Sequence, residues 1–241
     1  MTSIAVRKRS HEWMDEDDAD PVNLNRSLVF IRRINTLLGY TRATLSHLQR
    51  FSKSWKRGQT IRMIDLGTGS ADIPLSILRW ADQRKFEVHI VGVDRHSFTA
   101  STAAQAAAGH PRLKIVQCDV LAMPFAADSF DYALTGMFLH HLDEPEAVTV
   151  LRTMDRLATR GIIAADLLRT AHAHRWIRLL TLFANPMVRH DAVASVAQSF
   201  SREEAVGLRD QAGLTYVKYH HHFGDRFVLA GEKTNGNGAA V

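Results

Sequence analysis

The chain has 241 residues, 46% of them hydrophobic, which is ample for one α/β domain with a sizeable core and an appended element. A lone cysteine, Cys118, excludes an intrachain disulfide, and no apolar run reaches the roughly 18 residues that would suggest a membrane span. The formal net charge of +5 leaves nucleic acid or an anionic surface open as partner, but the block Arg7, Lys8, Arg9 is soon followed by the acidic run from Asp15 to Asp18, and the signs largely cancel.

The single thiol and the lack of a secretory apolar segment predict a cytoplasmic setting, with Cys118 as a buried core thiol. Residues 1–19 are charged and without periodicity, so they are expected to form a mobile arm. Asp20 and Pro21 start a helix carried by Leu24, Leu28, Ile31, Ile34 and Leu38 and ended by Gly39. A second helix from about Thr41 to Phe51 completes an N-terminal helical cap over 20–58.

From residue 60 short apolar runs alternate with helical stretches, the signature of βαβ units. Strands are predicted over Ile61 to Leu66, Val88 to Asp94, Leu113 to Cys118, Phe130 to Thr135 and Gly161 to Asp166. Ser201 and Glu204 form a capping box for a later helix that Gly213 closes. Leu214 to His221 and Arg226 to Ala230 then pair as an antiparallel hairpin. The expected fold is therefore α/β: a Rossmann-like, doubly wound seven-stranded sheet ending in that hairpin, over residues 59–232. The segment 167–198 is too long for an ordinary connection and reads as a helical insertion. Residues 233–241 are small or turn-forming and are expected to be disordered.

The motifs that carry chemistry sit where strands end. Residues 63–74, M-I-D-L-G-T-G-S-A-D-I-P, place a glycine-rich turn between the first strand and its helix, so that a ligand can approach backbone N–H groups closely. Alone this turn is a weak signal, since such turns also bind dinucleotides or merely turn the chain. Asp94 ends the second strand, where a carboxylate can accept both ribose hydroxyls, with Arg95 beside it. Asp119 ends the third, placed to accept from an adenine amine while Val120 offers its N–H. The fourth strand leads into T-G-M-F-L-H-H-L, which carries Gly136, His140 and His141.

This series resembles the small-molecule class I S-adenosylmethionine-dependent methyltransferases of the ubiquinone-methyltransferase type, strongly over about 60–166. The resemblance puts Asp65, Gly67, Thr68 and Gly69 on the glycine motif, Asp94 on the ribose acid and Asp119 on the adenine acid, and implies S-adenosyl-L-methionine as cofactor. The motif's third glycine is Ala71 here, which predicts a slightly shifted turn with a helical φ. A looser resemblance, through E-W-M-D-E-D-D-A-D and N-P-M-V-R-H-D, is to bacterial methyltransferases that accompany type III polyketide synthases; it implies a small aromatic hydroxyl or quinone-like acceptor.

A phenol must lose a proton on methylation, and a histidine is the natural base. His141 is the preferred candidate and His140 the fallback, against a plain capping or packing role for both. His190, beside Asp191 in the insertion, is the third. His220, His221 and His222 alternate faces along a strand and read as edge residues, so no metal is expected. Trp176, Leu179, Leu180 and Phe183 share one helical face, either packed on the domain or forming a lid that would suit a lipid-tailed phenol. A nucleic-acid methyltransferase is disfavoured because the fourth strand lacks an N-P-P-aromatic exit, and an NAD-dependent oxidoreductase because no Tyr-x-x-x-Lys is present. A non-catalytic cofactor-binding protein stays open, and the sequence gives no oligomeric state.

Overall fold

The computed structural model describes residues 4, 6–10, 12, 13, 24, 27, 29, 30 and 39–233. Of the first expected helix, Leu24, Ser27, Val29 and Phe30 are helical, while Leu28, Ile31, Ile34 and Leu38 fall outside the described residues, as does the tail from 234. Helix α1 (Tyr40–Phe51) is followed by β1 (Thr60–Leu66), α2 (Asp72–Arg84), β2 (Glu87–Asp94), α3 (Ser97–Ala107) and β3 (Leu113–Gln117). Then come β4 (Phe130–Gly136), α4 (Glu144–Leu157), β5 (Ala158–Leu167), α5 (Ala171–Leu180), α6 (Pro186–Gln198), α7 (Arg202–Gln211), β6 (Lys218–His222) and β7 (Arg226–Glu232).

The strands form one seven-stranded sheet in the order β3-β2-β1-β4-β5-β7-β6. β1 to β5 pair in parallel, whereas β7 runs antiparallel between β5 and β6. Two expected strand starts move by three residues or more, the other strand boundaries by two at most. β5 starts at Ala158, three residues before Gly161, because helix α4 hands directly into it. The stretch from Leu214 to Val217 is a turn, held by the Val217 N–H to the Leu214 carbonyl, and both side chains are buried under the hairpin.

Alternate residues of each strand face opposite layers, and both layers are apolar. Ile64, Leu66 and Ala133 pack with α4 and α7 through Leu151, Met154, Ala205 and Leu208. Ile61, Met63, Tyr132 and Leu134 pack with α1 and α2 through Leu48, Phe51, Ile77 and Leu78. Each fully buried Leu, Ile or Phe contributes about 1.5–3 kcal/mol, so these layers fix the sheet register. Strand order reverses between β1 and β4, and the carboxyl ends of these strands flank the crevice where open α/β sheets bind ligands.

The N-terminal arm departs from the expected mobile segment at its described residues. The Arg7 guanidinium donates to the carbonyl oxygens of His140 (3.0 Å), Leu142 (2.6 Å) and Gln198, and lies 3.8 Å over the Phe200 ring. Glu12 is buried. Charge read along the sequence suggested solvation, but these charges meet backbone carbonyls and polar side chains across the fold. Cys118 is half-buried, its sulfur 3.8 Å from that of Met123, and burial raises its thiol pKa.

Candidate active site

A cavity of about 530 Å³ opens at the carboxyl ends of β1, β2 and β4. Its floor is the turn after β1. Gly67 and Gly69 have φ of 70° and 56°, and a Cβ on Gly67 would lie 2.5 Å from the Phe138 ring. Glycine there lets the segment leaving β4 pack onto the turn. Ala71 was expected to be helical but has φ 59°, and its methyl is fully buried in the core away from the cavity wall. The turn needs a left-handed residue at the helix entrance, and the buried methyl offsets the strain of placing alanine there.

Polar groups converge on this turn. Thr68 donates to the buried Asp65 carboxylate at 2.8 Å, and burial raises Asp65 to about 7, with Asp72 and Asp94 adding to the rise. Asp94 is oriented at both oxygens: Oδ2 accepts the Gly69 N–H and Oδ1 the His96 N–H, each at 3.0 Å. Asp119 accepts the Leu121 N–H at 2.9 Å and so caps the short turn that starts with buried Val120. Asp65, Gly67, Thr68, Gly69, Asp94, Arg95, Asp119, Val120 and Gly136 all line the cavity.

The fourth strand exit forms the opposite wall. His140 and His141 occupy a 3-10 turn, with ring centroids 4.3 Å apart. His140 is buried, its Nδ1 is 2.6 Å from Asp166 Oδ1, and its backbone N–H donates to Asp166 Oδ2 at 2.9 Å. Burial alone would raise the Asp166 pKa. The His140 ring and the N–H groups of His140 and Leu167 outweigh it and hold the carboxyl below its ordinary value. The Asp166 carboxylate thus accepts the His140 Nδ1–H and fixes the orientation of the ring. His140 Nε2 lies 4.0 Å from Glu12 Oε1, which accepts from Ser195 (2.8 Å) and Gln198. His141 is half-buried and also lines the cavity.

His190 sits elsewhere. Its Nδ1 does pair with Asp191 at 2.8 Å, but its ring stacks on Trp13 with centroids 4.3 Å apart, and it does not line the cavity. Glu12, Tyr40, Asp166 and Arg226 were not singled out from the sequence, yet all bear on the site. A Cβ on Gly136 would fall 1.1 Å from the Tyr40 hydroxyl, so glycine admits this phenol to the cavity wall. Arg226 is almost fully buried against Tyr40 and Met137, and burial lowers it to about 10. The available signal for Asp166 was a carboxylate ending an otherwise apolar strand; the others are brought in by tertiary contacts. Glu12, His140 and His141 also place one ligand atom each within 4.8 Å of one another.

Residues 63–161 match the family model of a methyltransferase domain. The chain is an S-adenosylmethionine-dependent methyltransferase. The methyltransferase is 23% identical over 177 residues to a demethylmenaquinone methyltransferase of Bacillus velezensis, covering 68% of this chain and 75% of that one. It is 29% identical over 177 residues to the Roseiflexus sp. protein of the same description, covering 66% and 69%. Among solved structures it shares the fold of an S-adenosylmethionine-dependent methyltransferase of Aquifex aeolicus, with TM-score 0.53, 13% identity and coverage of 77% and 89%. It also shares the fold of a family 2 O-methyltransferase of Planctomyces limnophilus solved with apigenin, with TM-score 0.55 and 17% identity. That match covers 88% of this chain and 63% of the other, less than two thirds of its length. The residues present fit the cofactor: a left-handed glycine turn backed by an aromatic ring, and oriented carboxylates at the ends of β2 and β3.

Proposed function

We propose that the methyltransferase acts on a small aromatic hydroxyl or quinone-like ring, with His140 as the general base and Asp166 as the residue that positions it. Bound in the crevice, the cofactor would supply an electrophilic methyl carbon on a sulfonium centre. Asp94 and Asp119 would hold its ribose and adenine, with the β1 turn, Thr68 included, beneath it. The His140–Asp166 pair carries the reading: an imidazole on the cavity wall is tied through Nδ1 to a buried anion, and its Nε2, on the side of Glu12, would take an acceptor proton. This moves the role from His141, the residue favoured by its place in the sequence, to His140. His141 then serves as wall and orienter.

The acceptor class is supported by the cavity's mixed lining. Phe138, Leu142, Ile177 and Val196 would contact an apolar ring, while the buried Arg226 and the Tyr40 hydroxyl offer donors for an oxyanion. The demethylmenaquinone methyltransferases among its relatives are a further, weaker support for a quinone-like ring.

The test is a rate comparison on a panel of alkyl phenols and short-tailed naphthoquinols. His140→Ala should lower kcat by about a hundredfold or more, with cofactor affinity unchanged. Asp166→Asn should lower kcat by about ten- to a hundredfold, and both losses should shrink for acceptors already ionised at the assay pH. A chelator should leave the rate unchanged; a chelator-sensitive rate restored by one divalent metal would instead assign Glu12, His140 and His141 to a metal. Full activity of His140→Ala between about pH 6 and pH 9 would remove the base assignment.

A further inference from the structure

Among the described residues, large exposed apolar side chains concentrate on helix α5 and the turn after it. No residue of α5 is fully buried. Trp176 is 52% exposed, Leu179 62%, Leu180 42%, Leu182 52% and Phe183 97%. The sequence predicted Trp176, Leu179, Leu180 and Phe183 on one helical face, packed or lid-forming. In the structure the helix stops at Leu180, so Phe183 stands in the turn beyond it, and the whole group faces outward. Such a concentration of large exposed side chains on a single short segment marks an interaction surface.

Charge identifies the partner. From Leu167 to His190 the chain has four arginines, Arg169, Arg175, Arg178 and Arg189, and no aspartate or glutamate. Arg169 is buried against Glu204, which leaves Arg175 and Arg178 exposed on the same helix as the apolar group and Arg189 exposed on α6. At the start of the helix, Asp225 is engaged by His172 and Thr170. A second copy packed through the same segment would set arginines against arginines, with no acid between Leu167 and His190 to pair them. An anionic bilayer surface suits both features: aromatic and leucine side chains enter the acyl boundary while arginines reach the headgroups. The patch also adjoins the cavity, since Ile177 on the neighbouring face of α5 lines it.

We propose that α5 and the following turn dock the methyltransferase peripherally on an anionic lipid surface, with the cavity mouth beside the bilayer. This rests on exposure and charge, independently of which acceptor is methylated. No helix among the described residues is long and apolar enough to cross a membrane, so docking would be interfacial.

The experiment is co-sedimentation of the full chain with vesicles of phosphatidylcholine alone or with about 30% phosphatidylglycerol. Binding is expected on the anionic vesicles and should weaken on raising salt to about 0.5 M. The double variant Leu179→Ser, Phe183→Ser should lose at least about tenfold in partitioning. Arg175→Gln with Arg178→Gln should lose about twenty- to thirtyfold, since each basic residue near such a surface is worth about fivefold. All these side chains are exposed, so thermal melting should be unchanged and phenol methylation in detergent-free solution retained. Equal binding of wild type and both variants, or none to anionic vesicles, would overturn the proposal. So would lipid-free dimerisation in the ultracentrifuge that the Leu179, Phe183 variant abolishes, because the patch would then be a homodimer interface.

Discussion

Asp65 occupies a place where burial and function pull in opposite directions. Its side chain is almost fully buried at the end of β1, and burial raises its pKa to about 7, opposed in part by the Thr68 hydroxyl. In the unfolded chain an aspartate ionises near 4, so from there to about pH 7 the folded state holds the extra proton, and this group's contribution to stability falls as pH rises through that window. A cation bound in the crevice would favour the ionised form. The affinity for the sulfonium cofactor should therefore rise between about pH 6 and pH 8, by at most tenfold per unit, with proton release measurable by calorimetry in buffers of different ionisation enthalpy. Asp65→Asn should bind with a flat profile and release no proton; a variant that keeps the wild-type slope would assign the proton to another group. Asp65, Asp94 and Asp119 were legible because each ends an apolar strand. The φ of Ala71 was not, since whether alanine sits in a helical or left-handed well is decided by the turn closing onto β4. Nor was the pairing of His140, and not its neighbour, with Asp166, 26 residues away.

Helix α1 shows how an element legible by its period can carry contacts that no period reveals. A helix from about Thr41 to Phe51 was expected, and its apolar stripe, Ala43, Leu48 and Phe51, packs against β5 and β7. Its buried His47 was not noticed. Arg50 approaches His47 Nδ1 at 2.9 Å, and His47 Nε2 lies 3.0 Å from His222 Nε2, with the His220 ring edge-on at 4.6 Å. The alternation of His220, His221 and His222 along β6 thus turns two histidines toward α1 instead of leaving all three as plain edge residues. Burial, then His220, Arg50 and His222, lower His47 to about 3. The sign follows directly: the unfolded chain binds a proton near pH 6.5 that the folded chain refuses until about pH 3, so the stability of the α1 contact is complete above about 6.5 and is lost as pH falls through that interval. Thermal melting should decline more steeply from about pH 7.5 to pH 5 in wild type than in His47→Gln, although the variant starts lower for want of the Arg50 contact. Parallel declines would mean that the histidine cluster does not titrate with folding.

At the scale of the molecule, the sheet and its crevice were legible because strand order and glycine turns follow from short-range pattern, whereas the part that residues 7–10, 12 and 13 take in covering the crevice was not. That cover joins segments far apart in the chain. Arg7 and Arg9 bind the carbonyls of His140, His141 and Leu142; Glu12 meets Ser195 and Gln198 of α6; and the Trp13 N–H donates to Asp191 at 2.9 Å. A polar, charged N-terminal stretch looks solvated until these partners are in place, which is why it read as an arm. The contacts are separate hydrogen bonds, each worth roughly 0.5–1.5 kcal/mol net, or 1.5–3 kcal/mol where a charge takes part, so the cover is held less firmly than the continuous apolar layers beneath it. Opening it would admit an acceptor, and filling the crevice would add contacts that close it. Amide hydrogen exchange over residues 7–13 and 186–198 should therefore slow when the demethylated cofactor and an acceptor are both bound, with little change in β1 to β5. Arg7→Ala should speed exchange over the same segments without ligands and raise the acceptor KM by several-fold, leaving the core strands as protected as before. Exchange that is identical with and without ligands would make these segments fixed walls of the cavity.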